Sequence, residues 1–189
     1  MITIKSLNLR TAFLMGAIFF GFSCQTKTID YENLAIAITD EAKTNLVQKL
    51  TTAIAEGGTK QAIPFCKINA VGFTNQLGKK HGVELRRITN KPRNPSNALS
   101  KEEKDIFLEI EKLKTTAGVF PKKTITSDTS VTVYIPVLVG GLCLQCHGEP
   151  NLDIKKETLD VLEKEYPGDL AKGYRLGDLR GLFSVKFPK

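Results

Sequence analysis

The sequence predicts an α+β domain: an antiparallel sheet with N-terminal helices packed against it. Three observations carry that expectation. Apolar residues recur at helical spacings of three and four between Tyr31 and Leu77. The period changes to two in Val131, Val133 and Ile135, and again in Phe183, Val185 and Phe187. Helices grouped early and strands grouped late favour an α+β arrangement.

The chain opens with Lys5 and Arg10 ahead of an apolar run over residues 11–22 that ends at Ser23-Cys24. A basic start, about a dozen apolar residues and a small residue before a cut describe a secretory signal, too short to span a bilayer comfortably. Gly21-Phe22-Ser23-Cys24 also resembles a bacterial lipobox, with Gly21 where an aliphatic residue is usual. Lipidation of Cys24 therefore stands beside ordinary secretion and beside a thiol in a retained apolar helix. On the lipoprotein reading, residues 1–23 are the signal, 24–30 a short linker and 31–189 one domain. The protein would be exported, periplasm-facing and held at a membrane by acyl chains, each buried CH₂ contributing about 0.8 kcal/mol. Cleavage removes two basic residues and no acid from a formal charge of +7. The remaining excess is modest and interspersed with acids, so it reads as solubility and pairing with a ligand's carboxylates; with export, it argues against nucleic acid as a partner.

Leu34, Ile38, Ala42, Leu46, Val47, Leu50 and Ile54 make one face of a long helix that Gly57-Gly58 should end. A second helix is expected from about 62 to 77, with Pro64 in its first turn and Gly78 at its end. Its stripe is Ala62, Cys66, Ala70, Phe73 and Leu77. His81 then falls in a lysine- and glycine-flanked loop, followed by a strand over 83–88 and a basic, turn-rich loop over 90–97. Ser100 and Glu103 form a capping box for a helix whose inner face is Ile106, Phe107, Ile110 and Leu113, with Gly118 closing it. A strand over 131–135 continues toward Gly140-Gly141; a short helix through Leu159, Leu162 and Tyr166 follows, and a strand over 182–187 ends the domain.

The chemistry concentrates in Cys143-Leu144-Gln145-Cys146-His147. This is the C-x-x-C-H pattern in which two thiols add across the vinyl groups of a haem and the imidazole binds iron from one face. A redox C-x-x-C pair and half of a zinc site are the rival readings; zinc would need two further soft ligands. Export supports one covalent haem c, because that attachment takes place outside the cytoplasm in bacteria. Candidates for the other face of the iron are few. Met1 and Met15 lie in the segment removed on export, and His81 sits in an expected solvated loop. Cys66, on the buried stripe of its helix, is the best protein ligand, although an isolated Cys there is otherwise a small buried hydrophobe. Whether His81 replaces Cys66 at the iron stays open. Arg93, in the basic loop, is a candidate for propionate contact, with a solvated cation as the alternative.

These residues resemble a family of small exported haem c domains of PAS-like fold, a domain family of unknown function also found as input modules of bacterial receptors. The resemblance covers most of the mature chain. It rests on Ala62-Ile63-x-x-Cys66, Arg93-Asn94-Pro95-x-Asn97, Cys143-Leu144-x-Cys146-His147-Gly148-x-Pro150, and a long run, Tyr166-Pro167-x-Asp169-x-Ala171-x-Gly173-Tyr174-x-x-Gly177-Asp178-x-Arg180-Gly181-x-x-Ser184-Val185. Leu99 departs from it, standing where the family often has Pro. The resemblance implies His147 and the thiolate of Cys66 as axial ligands. A thiolate stabilises ferric iron and lowers the potential. The leading expectation is a sensor of redox state or of a small gas such as nitric oxide or carbon monoxide. With no output domain in view, the sensor would signal through a separate protein. The alternative is a low-potential periplasmic electron-transfer cytochrome with a redox partner. An enzymatic role of peroxidase type lacks a distal His or acid constellation.

Overall fold

In a computed structural model, which describes residues 29–189 apart from the side chains of residues 69–71, the first element described is a helical hairpin. Asp30 caps the first turn by accepting from Asn33 N–H at 3.0 Å. Helix α1 (Tyr31–His81) then breaks at Gly57 (φ −155°, ψ 21°) and Gly58 (φ 68°, ψ −169°). Gly58 occupies a region that a side chain disfavours, so the expected terminator acts as a hinge. Glu41 lies 2.6 Å from Lys80 Nζ and 2.8 Å from the His81 ring. In a straight helix at about 1.5 Å per residue, those groups would stand some 60 Å apart. The two arms, residues 31–56 and 59–81, therefore run back along each other.

The second arm departs from expectation at both ends. It starts at residue 59, which puts Pro64 a turn further in, and it continues through His81. His81 is thus the last helical residue and is paired to Glu41, not a loop residue. Gly78 does not stop the helix. It is small because a Cβ there would meet the carbonyl oxygen of Val83 at 2.8 Å; the stop is Gly82, at φ 66°. The candidates Cys24 and the signal over 1–23 lie outside the described residues, as does the side chain of Ala70.

Strands β1 (Glu84–Ile88), β2 (Lys123–Thr126), β3 (Ser130–Leu138) and β4 (Leu179–Pro188) form one sheet in the order β1-β4-β3-β2, antiparallel throughout. The α+β expectation holds. One face packs on α1, where Ala35, Ile38 and Leu77 meet Leu85, Val133, Phe183 and Val185. The other packs on α2 (Lys101–Lys112), where Phe107 and Ile110 meet Ile88, Tyr134 and Leu182. Burying each such side chain stabilises by about 1.5–3 kcal/mol. The expected capping box opens α2, and Glu103 also holds Arg86 of β1 at 2.7 Å. No helix among the described residues is long and apolar enough to cross a membrane.

Two more helices lie between β3 and β4: α3 (Gly141–His147) and α4 (Lys156–Glu165). The second arm of α1 is fixed to α4 by a 2.6 Å Thr59–Thr158 hydroxyl pair, by Lys67 and Glu165 at 3.2 Å, and by Ile63 against Ile154 and Leu162. Register on β4 slips beside α3. Val137 pairs with Gly181 but Leu138 pairs with Leu179, leaving Arg180 as a bulge opposite β3. At Gly181 a Cβ would stand 2.6 Å from the carbonyl oxygen of Ile88. Gly181→Ala should therefore push β1 off β4 and lower the unfolding free energy by about 1–3 kcal/mol, measured by urea denaturation.

Candidate functional site

A cavity of about 180 Å³ lies where the helical hairpin, the sheet and α3 meet. Its apolar wall comes from the two arms of α1, as Leu46, Leu50, Ala62 and Ile63; Cys66 sits on the same wall one turn on. Arg87 enters from β1, Arg93, Asn94 and Asn97 from the loop after it, Cys146 and His147 from α3, Tyr166 from the end of α4, and Arg180 from the bulge of β4. Cys66, Arg93, Cys146 and His147 are thus brought to one place by segments far apart in sequence.

The short helix α3, preceded by Gly140 as its cap, carries the motif. Cys143 and Cys146 stand three residues apart on it, and of the two Cys146 lines the cavity. Cys146 is half-buried against Ile63, Ile154 and Leu162, and Cys143 against Val139, Ala171 and Tyr174, with its Sγ 3.4 Å from Gly140 N–H. His147 Nδ1 lies 2.8 Å from the carbonyl oxygen of Ala171. A carbonyl only accepts, so Nδ1 bears the proton and Nε2 keeps its lone pair. Burial, reinforced by Arg93 and Arg180, holds the His147 ring well below the usual imidazole range. A neutral, oriented imidazole with one bare nitrogen is what a metal ligand requires.

Burial also pushes the Cys66 thiol up, opposed by the positive charges of Arg87 and then Arg93. The Cys146 thiol is pushed up by burial too, opposed by Arg93. Among the described residues, no three His, Cys, Asp or Glu gather where they could hold a metal ion.

The sequence matches the model of the Tll0287-like family over residues 25–188. The chain belongs to the Tll0287-like family. Among solved structures, the crystal structure of the cyanobacterial heme-protein Tll0287 resembles it with a TM-score of 0.61 at 22% sequence identity, over 85% of this chain and 98% of that one. At that identity the likeness speaks for the fold. No curated protein sequence matches the chain.

In this Tll0287-like chain the expected site residues separate into roles. Arg93 is drawn into the scaffold: its Nη2 donates to the carbonyl oxygens of Cys146 (2.5 Å) and Ala171 (3.3 Å) and lies 3.0 Å from Asp169, whose side chain is 1% exposed. Asp169 in turn accepts from Ala171 N–H at 2.8 Å. His81 is not among the residues lining the cavity. Reading the residues singly missed Arg87 and Arg180. Arg87 was within reach, since it follows Leu85 by two in a strand and so shares its buried face. Arg180 had only its place in the family motif to mark it, because the bulge that redirects it has no signature in the residues themselves.

Two outcomes follow for stability. Asp169→Asn leaves the buried guanidinium of Arg93 unpaired and should cost about 3–5 kcal/mol, read as a lowered denaturation midpoint. With no metal on the ring, His147 resists protonation when folded and accepts a proton near pH 6.5 when unfolded. The unfolded state then binds more protons, so stability falls as pH drops below about 6.5, by up to about 1.4 kcal/mol per unit. Urea unfolding at pH 7 and pH 5 should show this loss, and His147→Gln should reduce it.

Proposed function

We propose that this chain carries one covalent haem c, with Cys143 and Cys146 as the thioether positions and His147 and Cys66 as the axial ligands, and that it acts as a sensor of redox state or of a small gas such as nitric oxide or carbon monoxide. The observation that carries this reading is the meeting of Cys66 and His147 in one cavity beside Cys146. The donor set fits: a neutral imidazole with a bare nitrogen, a thiol flanked by guanidinium groups, and apolar walls. When bound, the group supplies one-electron redox chemistry and an iron site that a diatomic gas can take.

The chain's own residues supply the rest. Ala171 orients His147 through its Nδ1–H. Desolvation favours the neutral thiol of Cys66 and outweighs Arg87 and Arg93, which favour the thiolate, so on this reading Cys66 is the ligand that leaves. It rides on the second arm of α1, joined to the first through Gly57-Gly58. That arm is the two-state element a sensor needs. The same hinge gives room, since sites for drug-sized ligands run to about 300–1,000 Å³ and the cavity must open to admit a macrocycle. We read the protein as non-enzymatic, exported and held at a membrane through Cys24, passing its signal to a separate redox or signalling protein.

Cys66→Ser should change the ferric absorption spectrum and the electron paramagnetic resonance signal of protein made with haem c maturation. Identical spectra would remove Cys66 from the ligand set. Ligand exchange on reduction, or gas binding to the ferrous form, supports the sensor. A potential well above zero with unchanged low-spin ligation in both states would instead make the protein an electron carrier.

A further inference from the structure

Three guanidinium groups face the cavity, and they are not equivalent. Arg93 is engaged through Nη2, by two carbonyl oxygens and the carboxylate of Asp169, although its Nε is buried without a partner. Arg87 has no hydrogen-bond or ion-pair partner among the described residues, although it shares the buried face of β1 with Leu85. Arg180 spends only Nη1, on Thr89 Oγ1 at 3.1 Å and the carbonyl oxygen of Lys91 at 3.3 Å; its Nε is buried without a partner. The position of Arg180 is built. Strict alternation along β4 would send residue 180 toward α2 with Leu182 and Ser184, and the bulge at Val137/Leu138 turns it into the cavity instead. Thr89 and Gly181 complete the support, because Thr89 Oγ1 also donates to the carbonyl oxygen of Arg180 at 2.8 Å, and only a glycine fits against Ile88 next to it.

Desolvated cations are costly unless an anion meets them. The one carboxylate in contact with this trio, Asp169, is taken by Arg93. We propose that Arg180 and Arg87 form a two-point carboxylate site, and that they, not Arg93, bind the two propionates of the haem. This rests on the haem reading above. Guanidinium forks match carboxylates in geometry, and two guanidinium groups without a carboxylate partner, Arg180 resting over the Tyr174 ring at 5.3 Å, match two carboxylates in number. Arg87 and Asn97 also border an adjoining pocket of about 480 Å³ between the end of α1 and β1, which gives the Arg87 side a path to water. Arg93 is a positioning residue: it ties the 90–97 loop to α3 and to the segment after α4.

The test is resonance Raman spectroscopy of the haem-loaded full chain, reading the propionate bending band, which reports hydrogen bonding to those carboxylates. Arg180→Gln and Arg87→Gln should each move the band toward its weakly bonded position, and Arg180→Lys, which keeps the charge, should move it less. Arg93→Gln should lower the melting temperature and leave the band in place. Lys186→Gln removes a cation from an exposed position on β4 and should change neither. A band unmoved in both Arg180→Gln and Arg87→Gln overturns the carboxylate site while haem binding stands. Wild-type protein that shows no covalent haem in its pyridine haemochrome spectrum overturns both. Should Arg180→Gln not mature, Arg180→Lys and Arg87→Gln carry the same test.

Discussion

The buried pair of Arg93 and Asp169 is the knot on which the site depends. Three stretches must be held in register: the loop after β1, the end of α3 and the segment between α4 and β4. None has a ladder of backbone hydrogen bonds long enough to fix it alone. One guanidinium nitrogen reaches Cys146, Ala171 and Asp169 together, and Asp169 turns back to Ala171 N–H. Ala171 is also the residue whose carbonyl orients His147. The chain continues the junction with two backbone bonds, Gly173 N–H to the Gly148 carbonyl at 2.9 Å and Tyr174 N–H to the His147 carbonyl at 3.0 Å. Charge, imidazole tautomer and loop path are thus set by one connected group of bonds. Removing either member strands the other in a dry place, which is why such pairs are costly to break even where their net contribution is small.

The second constraint is mechanical. The hairpin puts apolar residues of both arms over the cavity, so Cys66 is reached from above by a helix that the sheet does not hold directly at that point. Restraint on this arm comes from Thr158, Leu162 and Glu165 of α4 and from Ile154 just before it. At the far end Glu41 clips Lys80 and His81. The arm is therefore held from Thr59 through Ile63 to Lys67 and again at Leu77 and His81, with Cys66 inside the first of these stretches and the glycine hinge just before it. Exposed ion pairs of the Glu41 kind contribute little singly, so the packing against α4 sets how firmly the thiol is presented.

Much of this was legible in the sequence, and the parts that were not have physical causes. Helical period and capping chemistry are local, so the extent of the first arm, the Ser100 box and the buried Phe107 and Ile110 of α2 were legible. Leu34, Val47 and Leu113, expected on the inner faces, are instead exposed, and α2 ends at Lys112, ahead of Gly118. Gly57-Gly58 marked a break, although the antiparallel return depends on tertiary contacts that no local pattern records. Gly78 and Gly82 show the ambiguity of glycine: the first is small for a passing backbone, the second for a left-handed turn, and the letter is the same. Strand β2 escaped because it is an edge strand with an almost wholly exposed pattern, paired on one side only. At the site, cysteine and histidine spacing pointed to the motif, and the buried stripe pointed to Cys66. Arg180 could not be derived in that way, because alternation sends it to the wrong face and a bulge is a property of two strands together.

The arginines also link the two halves of the site. Arg87 is the stronger of the two charges opposing the desolvation of Cys66, and no described residue engages its guanidinium in a hydrogen bond or ion pair. A carboxylate settled on Arg87 draws on the same positive charge that makes a thiolate tolerable at Cys66. Arg93 cannot make up the difference in full, because Asp169 already neutralises much of its field at 3.0 Å. Anion occupancy at one edge of the cavity and thiolate character at the other are therefore coupled through a single side chain. In a water-poor setting that coupling is stronger than the same charges would show at the surface. On the proposed reading, the ligation of Cys66 is thereby sensitive to what binds the cations beside it.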